Sequence, residues 1–99
     1  MKINTQQKLV SLKGEVLKGD GIEVTLGLAI SNILISSQVK GKYKLYILGK
    51  KFFDDKEIDI DMADMSLIKS ELEATTIYTP LVTGQILDIL YNLENKKEK

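Results

Sequence analysis

Six carboxylates crowd one stretch of the chain: Asp54, Asp55, Glu57, Asp59, Asp61 and Asp64. Such a run invites a calcium reading, because hard cations collect carboxylate oxygens. The spacing does not fit an EF-hand loop. Setting Ile58 at the loop's apolar position puts Lys51 and Met62 where the first and last ligands belong. Setting Ile60 there puts Phe53 at the first ligand and Ile58 where the loop needs glycine. The run is therefore expected to be a solvated strand face followed by a helix cap, with no metal. Paired acids can also work at a glycosidic bond. A 99-residue chain with two Phe, four Tyr and no Trp leaves little room for a sugar cleft.

The absences narrow the chemistry further. The chain has no Cys, which removes disulfides, thiolate zinc sites and a thiol nucleophile, and no His, which removes the commonest general base. Its serines have no evident base to activate them. Gly19-Asp20-Gly21 is too short to cradle a phosphate, and the P-loop pattern does not occur. No catalytic residue and no cofactor are expected, and the chain is read as not an enzyme.

Every cation is a lysine. Lys40, Lys42, Lys44, Lys50 and Lys51 cluster, with Tyr43 and Tyr46 among them. Basic residues interleaved with aromatics can hold nucleic acid, but a solvated helix face is the simpler expectation. The lack of Arg removes the bidentate reader of guanine and phosphate. Residues 1–52 carry nine Lys against Glu15, Asp20 and Glu23, a balance of +6. Residues 53–95 carry two Lys against ten acids, a balance of −8, and the last four residues return +2. The two halves are expected to fold together and neutralise each other, and nucleic acid is an unlikely partner.

These side chains must be placed by one modest core, since the length is that of a single domain. Residues 9–24 alternate short apolar runs with Gly14, Gly19 and Gly21, the signature of a three-strand meander. Thr25 reads as a helix N-cap, with Leu26, Ala29, Ile30, Ile33 and Leu34 at helical spacing behind it. A second helix is expected over about 42–53, with Leu45, Leu48 and Phe52 on its inner face and Gly49 allowing close packing. Residues 58–60 alternate as a short strand. Asp61 caps a third helix over about 61–74, with Ile60 and Met65 as a hydrophobic staple. Thr79 reads as the N-cap of the last helix, about 80–94, with the only proline, Pro80, at its first position, where a missing N–H is harmless. The strands at 22–24 and 58–60 both lead into capped helices and are candidates to pair. The expected fold is α+β: an N-terminal β-meander, then four helices in two hairpins, with one further short strand. Residues 1–95 form one compact domain, and 96–99 form a charged, frayed tail.

The start of the chain lacks an apolar signal core, and the longest apolar stretch, Leu26 to Ile35, is far short of a bilayer span. A cytoplasmic protein without a membrane partner is expected. Helix 25–35 is unusual in being apolar around most of its circumference, because Leu28 and Ile35 lie off the main stripe. Either it is central to the core, or another chain covers its second face. Leu28 and Ile35, with Tyr43 and Tyr46 as aromatic anchors, are the candidate partner-binding residues. Their partner is a second copy or a different protein.

Five segments carry a resemblance. They are Leu12-Lys13-Gly14-Glu15, residues 24–34, residues 46–53, residues 60–69, and the helix start Tyr78-Thr79-Pro80-Leu81-Val82-Thr83-Gly84-Gln85-Ile86-Leu87. In this order they resemble small proteins encoded by tailed bacteriophages and prophages, over residues 9–93. That group carries no assigned catalytic residues, so no site is transferred. The resemblance implies a phage protein in the host cytoplasm. Such a protein would bind a host or phage protein, inhibiting or redirecting a host enzyme or defence system. The alternative it implies is virion morphogenesis, as an assembly chaperone or minor structural protein of the tail or head.

Overall fold

A computed structural model describes residues 2–19, 21–37 and 42–97. Asp20, Lys40, Gly41 and the final Glu98 and Lys99, all used above, lie outside the described residues. The element order is β1 (Lys2–Asn4), β2 (Lys18–Gly19), β3 (Ile22–Glu23), α1 (Leu26–Ile35), α2 (Lys42–Asp54), β4 (Glu57–Asp59), α3 (Met62–Ala74) and α4 (Pro80–Lys97). The chain is α+β as expected, and α4 runs three residues beyond the expected end at 94.

The meander is reduced to its minimum. β2 and β3 pair antiparallel, Lys18 opposite Glu23 and Gly19 opposite Ile22, and single bridges join Lys8 to Thr25 and Val10 to Val16. Three backbone bonds close a ring: Leu9 N donates to Val24 O at 2.9 Å, Val24 N to Leu17 O at 2.8 Å, and Leu17 N to Leu9 O at 2.9 Å. Frequent glycines keep each segment too short for a longer ladder.

The expected pairing of residues 22–24 with 58–60 does not occur. β4 pairs with β1 instead, antiparallel, with Lys2 opposite Asp59, Ile3 opposite Ile58 and Asn4 opposite Glu57. Side-chain burial explains the choice. Ile3 and Ile58 are both buried and meet as a cross-strand pair, whereas Ile22 is exposed.

Helix α1 is the centre of the core. Seven of its ten residues are buried, from Leu26 to Leu34. Its first-turn amides, which no helix can satisfy internally, are met by the N-terminal segment. Leu26 N donates to Gln7 O (2.7 Å), Gly27 N to Thr5 O (2.8 Å) and Leu28 N to Thr25 Oγ1 (3.2 Å). Thr5 is itself buried. Its N–H donates to Lys56 O (3.0 Å) and its hydroxyl to Asp55 O. One residue thus ties the start of α1 to the entry of β4.

The helices form two hairpins. α1 and α2 pack closely through small residues. A Cβ on Gly27 would lie 2.5 Å from Thr5 Cβ and 2.6 Å from Phe52 O. A Cβ on Gly49 would lie 2.6 Å from Ile35 Cγ2, so the expected close approach at Gly49 is present. In the second hairpin Lys69 pairs with Glu94 and lies 4.1 Å over the Tyr91 ring. The side-chain amide of Gln85 fastens α4 to the meander: Oε1 accepts from Val10 N at 2.9 Å and Nε2 donates to Val10 O. Helix α4 thereby pairs with Val10 as a strand would. Among the described residues no helix is long and apolar enough to cross a membrane.

Candidate interaction surface

The acidic run is dispersed into separate tasks. Asp61 caps α3, accepting from Asp64 N at 2.7 Å, and Asp64 pairs with Lys44 of α2 at 3.2 Å. Glu57 faces Lys2 across the β1–β4 pair at 3.9 Å. Among the described residues no three acidic side chains come together as a metal cage. The lysine cluster is similarly divided: Lys44 points to Asp64, and Lys50 lies 5.6 Å over the Tyr46 ring.

Among the described residues, four of the nine exposed large apolar side chains gather on the outer face of the α1–α2 hairpin, while Leu12, Ile22, Met62, Ile77 and Tyr91 are exposed elsewhere. A helix packed on one side normally turns polar residues outward. Here Ile35 is 56% exposed, Tyr43 76%, Tyr46 49% and Phe53 63%. On α2 the residues Tyr43, Tyr46, Lys50 and Phe53 follow the 3-4-3 spacing that lines one side of a helix. Beside them run Leu28, Asn32 and Ile35 of α1, spaced by four and three. The buried side of α1 is centred on Leu26, Ile30 and Ile33, with Gly27, Ser31 and Leu34 turned to α2, so this second stripe faces away from the core.

Grooves join the two stripes. One of about 370 Å³ is bounded by Asn32, Ile35, Tyr46, Lys50 and Phe53, with the buried Ser31 also lining it. A neighbouring groove is shared by Ile35 and Tyr46, and a third brings Leu28 to Phe53. The Tyr43 and Tyr46 rings lie 6.4 Å apart with planes tilted by 38°. Asn32 is held by its amide, which donates to the Tyr78 hydroxyl at 3.0 Å.

The four candidate residues are thus brought onto one surface, with unequal standing. Ile35, Tyr43 and Tyr46 form its open centre, while Leu28 is half-buried at one end. Sequence reasoning missed Phe53 and Lys50. Phe53 directly follows the inward Phe52, and Lys50 belongs to the lysine cluster that reads as a solvated face. The spacing from Tyr43 and Tyr46 held the signal for both. The surface offers aromatic and aliphatic area, one stacked ammonium and an oriented amide, which suit the capture of another protein chain. No protein-family model, curated protein sequence or solved structure matches this chain.

Proposed function

We propose that this is a non-catalytic protein that works by binding protein, and that the outer face of the α1–α2 hairpin is its docking surface. One observation carries the reading: four large apolar side chains, Ile35, Tyr43, Tyr46 and Phe53, stand exposed together on a rigid two-helix platform. Contiguous apolar area of this kind, rimmed by charge, marks interaction sites. The platform is fixed by close backbone packing at Gly27 and Gly49, so the aromatic anchors are held in place before binding. The resemblance to small phage proteins supports a setting in which the partner is a host or phage protein, and in which binding redirects or inhibits a host machine.

Site-specific photo-crosslinking tests this. A photoreactive residue replaces Tyr46 or Phe53 in the full chain expressed in bacterial cells, with exposed Tyr91 of α4 as the control position. Protein adducts are expected at Tyr46 and Phe53, are expected to be absent at Tyr91, and should be lost on adding Ile35→Asp. Adducts no stronger at Tyr46 and Phe53 than at Tyr91 would remove the reading.

A further inference from the structure

The α2 stripe reads the same in both directions. From Tyr43 the steps are three, four and three residues to Phe53, and from Phe53 they are three, four and three back to Tyr43. This is the a/d spacing of a helix–helix seam, and at 1.5 Å per residue it spans about 15 Å. A seam with this symmetry can meet a second copy of itself across a two-fold axis, the commonest arrangement of oligomers.

We infer that a second copy of this chain occupies the α1–α2 outer face, with α2 packed antiparallel on α2 of the partner and the two-fold axis near Leu48. The inference rests on the reading of this face as a protein-docking surface and names its occupant.

Charge decides the direction. A parallel pair would set Lys50 against Lys50, two like charges in a closing interface. The antiparallel pair sets Tyr43 on the partner's Phe53 and Lys50 on the partner's Tyr46. Lys50 already lies 5.6 Å over its own Tyr46 ring. Its ammonium is therefore placed to sit between two ring faces, the favourable geometry for a cation and an aromatic. Ile35 and the half-buried Leu28, which their own chain leaves partly uncovered, then flank the seam from α1. The two hairpins together make a four-helix arrangement of the kind bundles use.

The face is two helices wide. At a helix spacing of about 8–10 Å it measures roughly 15 by 20 Å, a footprint of about 300 Å² per copy that is below what stable interfaces bury and fits a weak pair. The pair is accordingly reversible. It leaves the acidic hairpin α3–α4 of each copy directed away from the seam.

Sedimentation equilibrium of the full chain, from about one to several hundred micromolar, should show the mass rising from one chain to two. Tyr46→Lys places a lysine on the partner's Lys50 twice and should weaken pairing at least about tenfold, while Tyr46→Lys with Lys50→Glu restores opposite charges in that register and should recover it. The absence of cysteine allows a cleaner test of direction. When Tyr43→Cys and Phe53→Cys proteins are mixed and oxidised, the mixed disulfide should dominate over both homodisulfides. Equal yields of the three, or a preference for the homodisulfides, overturns the antiparallel seam. A monomer at the highest concentration overturns self-pairing altogether. If that monomer still gives adducts to a different protein at Tyr46 and Phe53, the docking face stands and only its occupant was wrong. If it gives none, both fall. All substituted positions are exposed, and circular dichroism of each variant checks that the helices are intact.

Discussion

Thr5 is a buried polar residue whose three hydrogen-bonding groups are all used. Thr5→Val keeps the shape and removes the hydroxyl, leaving Asp55 O without that donor. Asp55 is exposed, so water can replace the lost donor, and a denaturant melt should show only the net worth of one hydrogen bond, about 0.5–1.5 kcal/mol. The caps separate two threonine and aspartate sites that look alike in sequence. Asp61 accepts from Asp64 N through its carboxylate, so Asp61→Ala should cost about 1 kcal/mol. At Thr79 the carbonyl takes the amides of Val82 (3.0 Å) and Thr83 (3.1 Å), along with the Thr83 hydroxyl. Alanine retains that carbonyl, so Thr79→Ala should move the midpoint by less than about half of the Asp61→Ala effect. Equal losses at the two sites would show that the Thr79 hydroxyl caps α4 after all. The Asp61 cap was legible because its partners lie within one turn. Thr5 was not, since its hydroxyl finds its acceptor fifty residues away and nothing local distinguishes it in Asn4-Thr5-Gln6-Gln7.

At the scale of elements, the four helices announced themselves through apolar spacing, caps and the single proline. What the chain did not disclose is how the short strands choose partners. Residues 22–24 and 58–60 look alike in sequence, yet β4 takes β1, because Ile3 and Ile58 can both be buried there. Nor did Gln85 reveal itself: a polar residue in a helix normally faces water, and here it completes a strand-like pair with Val10. Gln85→Glu keeps an acceptor for Val10 N but turns the donor that served Val10 O and Leu81 O into a second acceptor. Gln85→Ala should lower stability by about 1–3 kcal/mol, and Gln85→Glu by at least as much. In both, hydrogen exchange at the Val10 amide should become fast while the amides of α1 stay protected. If Val10 remains protected, the clasp contributes little to holding the meander.

For the molecule as a whole, the radius of gyration of 12.8 Å is close to the ~13 Å of a compact domain of about 100 residues. The charge imbalance between the halves was plain in the sequence, but not where they would meet. They meet at Lys44–Asp64 and Lys2–Glu57, and the second of these is too exposed to contribute much. The separation of the acids leads to a simple expectation for calcium. A site filled at about 100 times its dissociation constant adds ~2.7 kcal/mol, a rise of several degrees in a domain this size. Millimolar calcium should instead leave the melting temperature within about two degrees of its value in chelator. A larger rise would mean that the acids gather around an ion. The exposed apolar face of the α1–α2 hairpin was half legible. Leu28, Ile35, Tyr43 and Tyr46 stood out as surplus apolar residues, but which of them the core would absorb depends on the three-dimensional position of α1, and that decided against Leu28.

The clasp between Val10 and Gln85 has a consequence for the order in which the ribosome delivers the chain. Residue 10 is made seventy-five residues before residue 85, so this closure must wait for α4. Long-range closures of this sort come late in folding, because chain entropy opposes them until other contacts are in place. Until α4 emerges, the amide and carbonyl of Val10 therefore lack their Gln85 partner, and unpaired strand groups of this kind are what nascent chains use to seize one another. Every strand among the described residues is two or three residues long. A template so short gives a neighbouring nascent chain little to add to, and the fragmentary β-structure of the folded protein is also what protects it before it is finished.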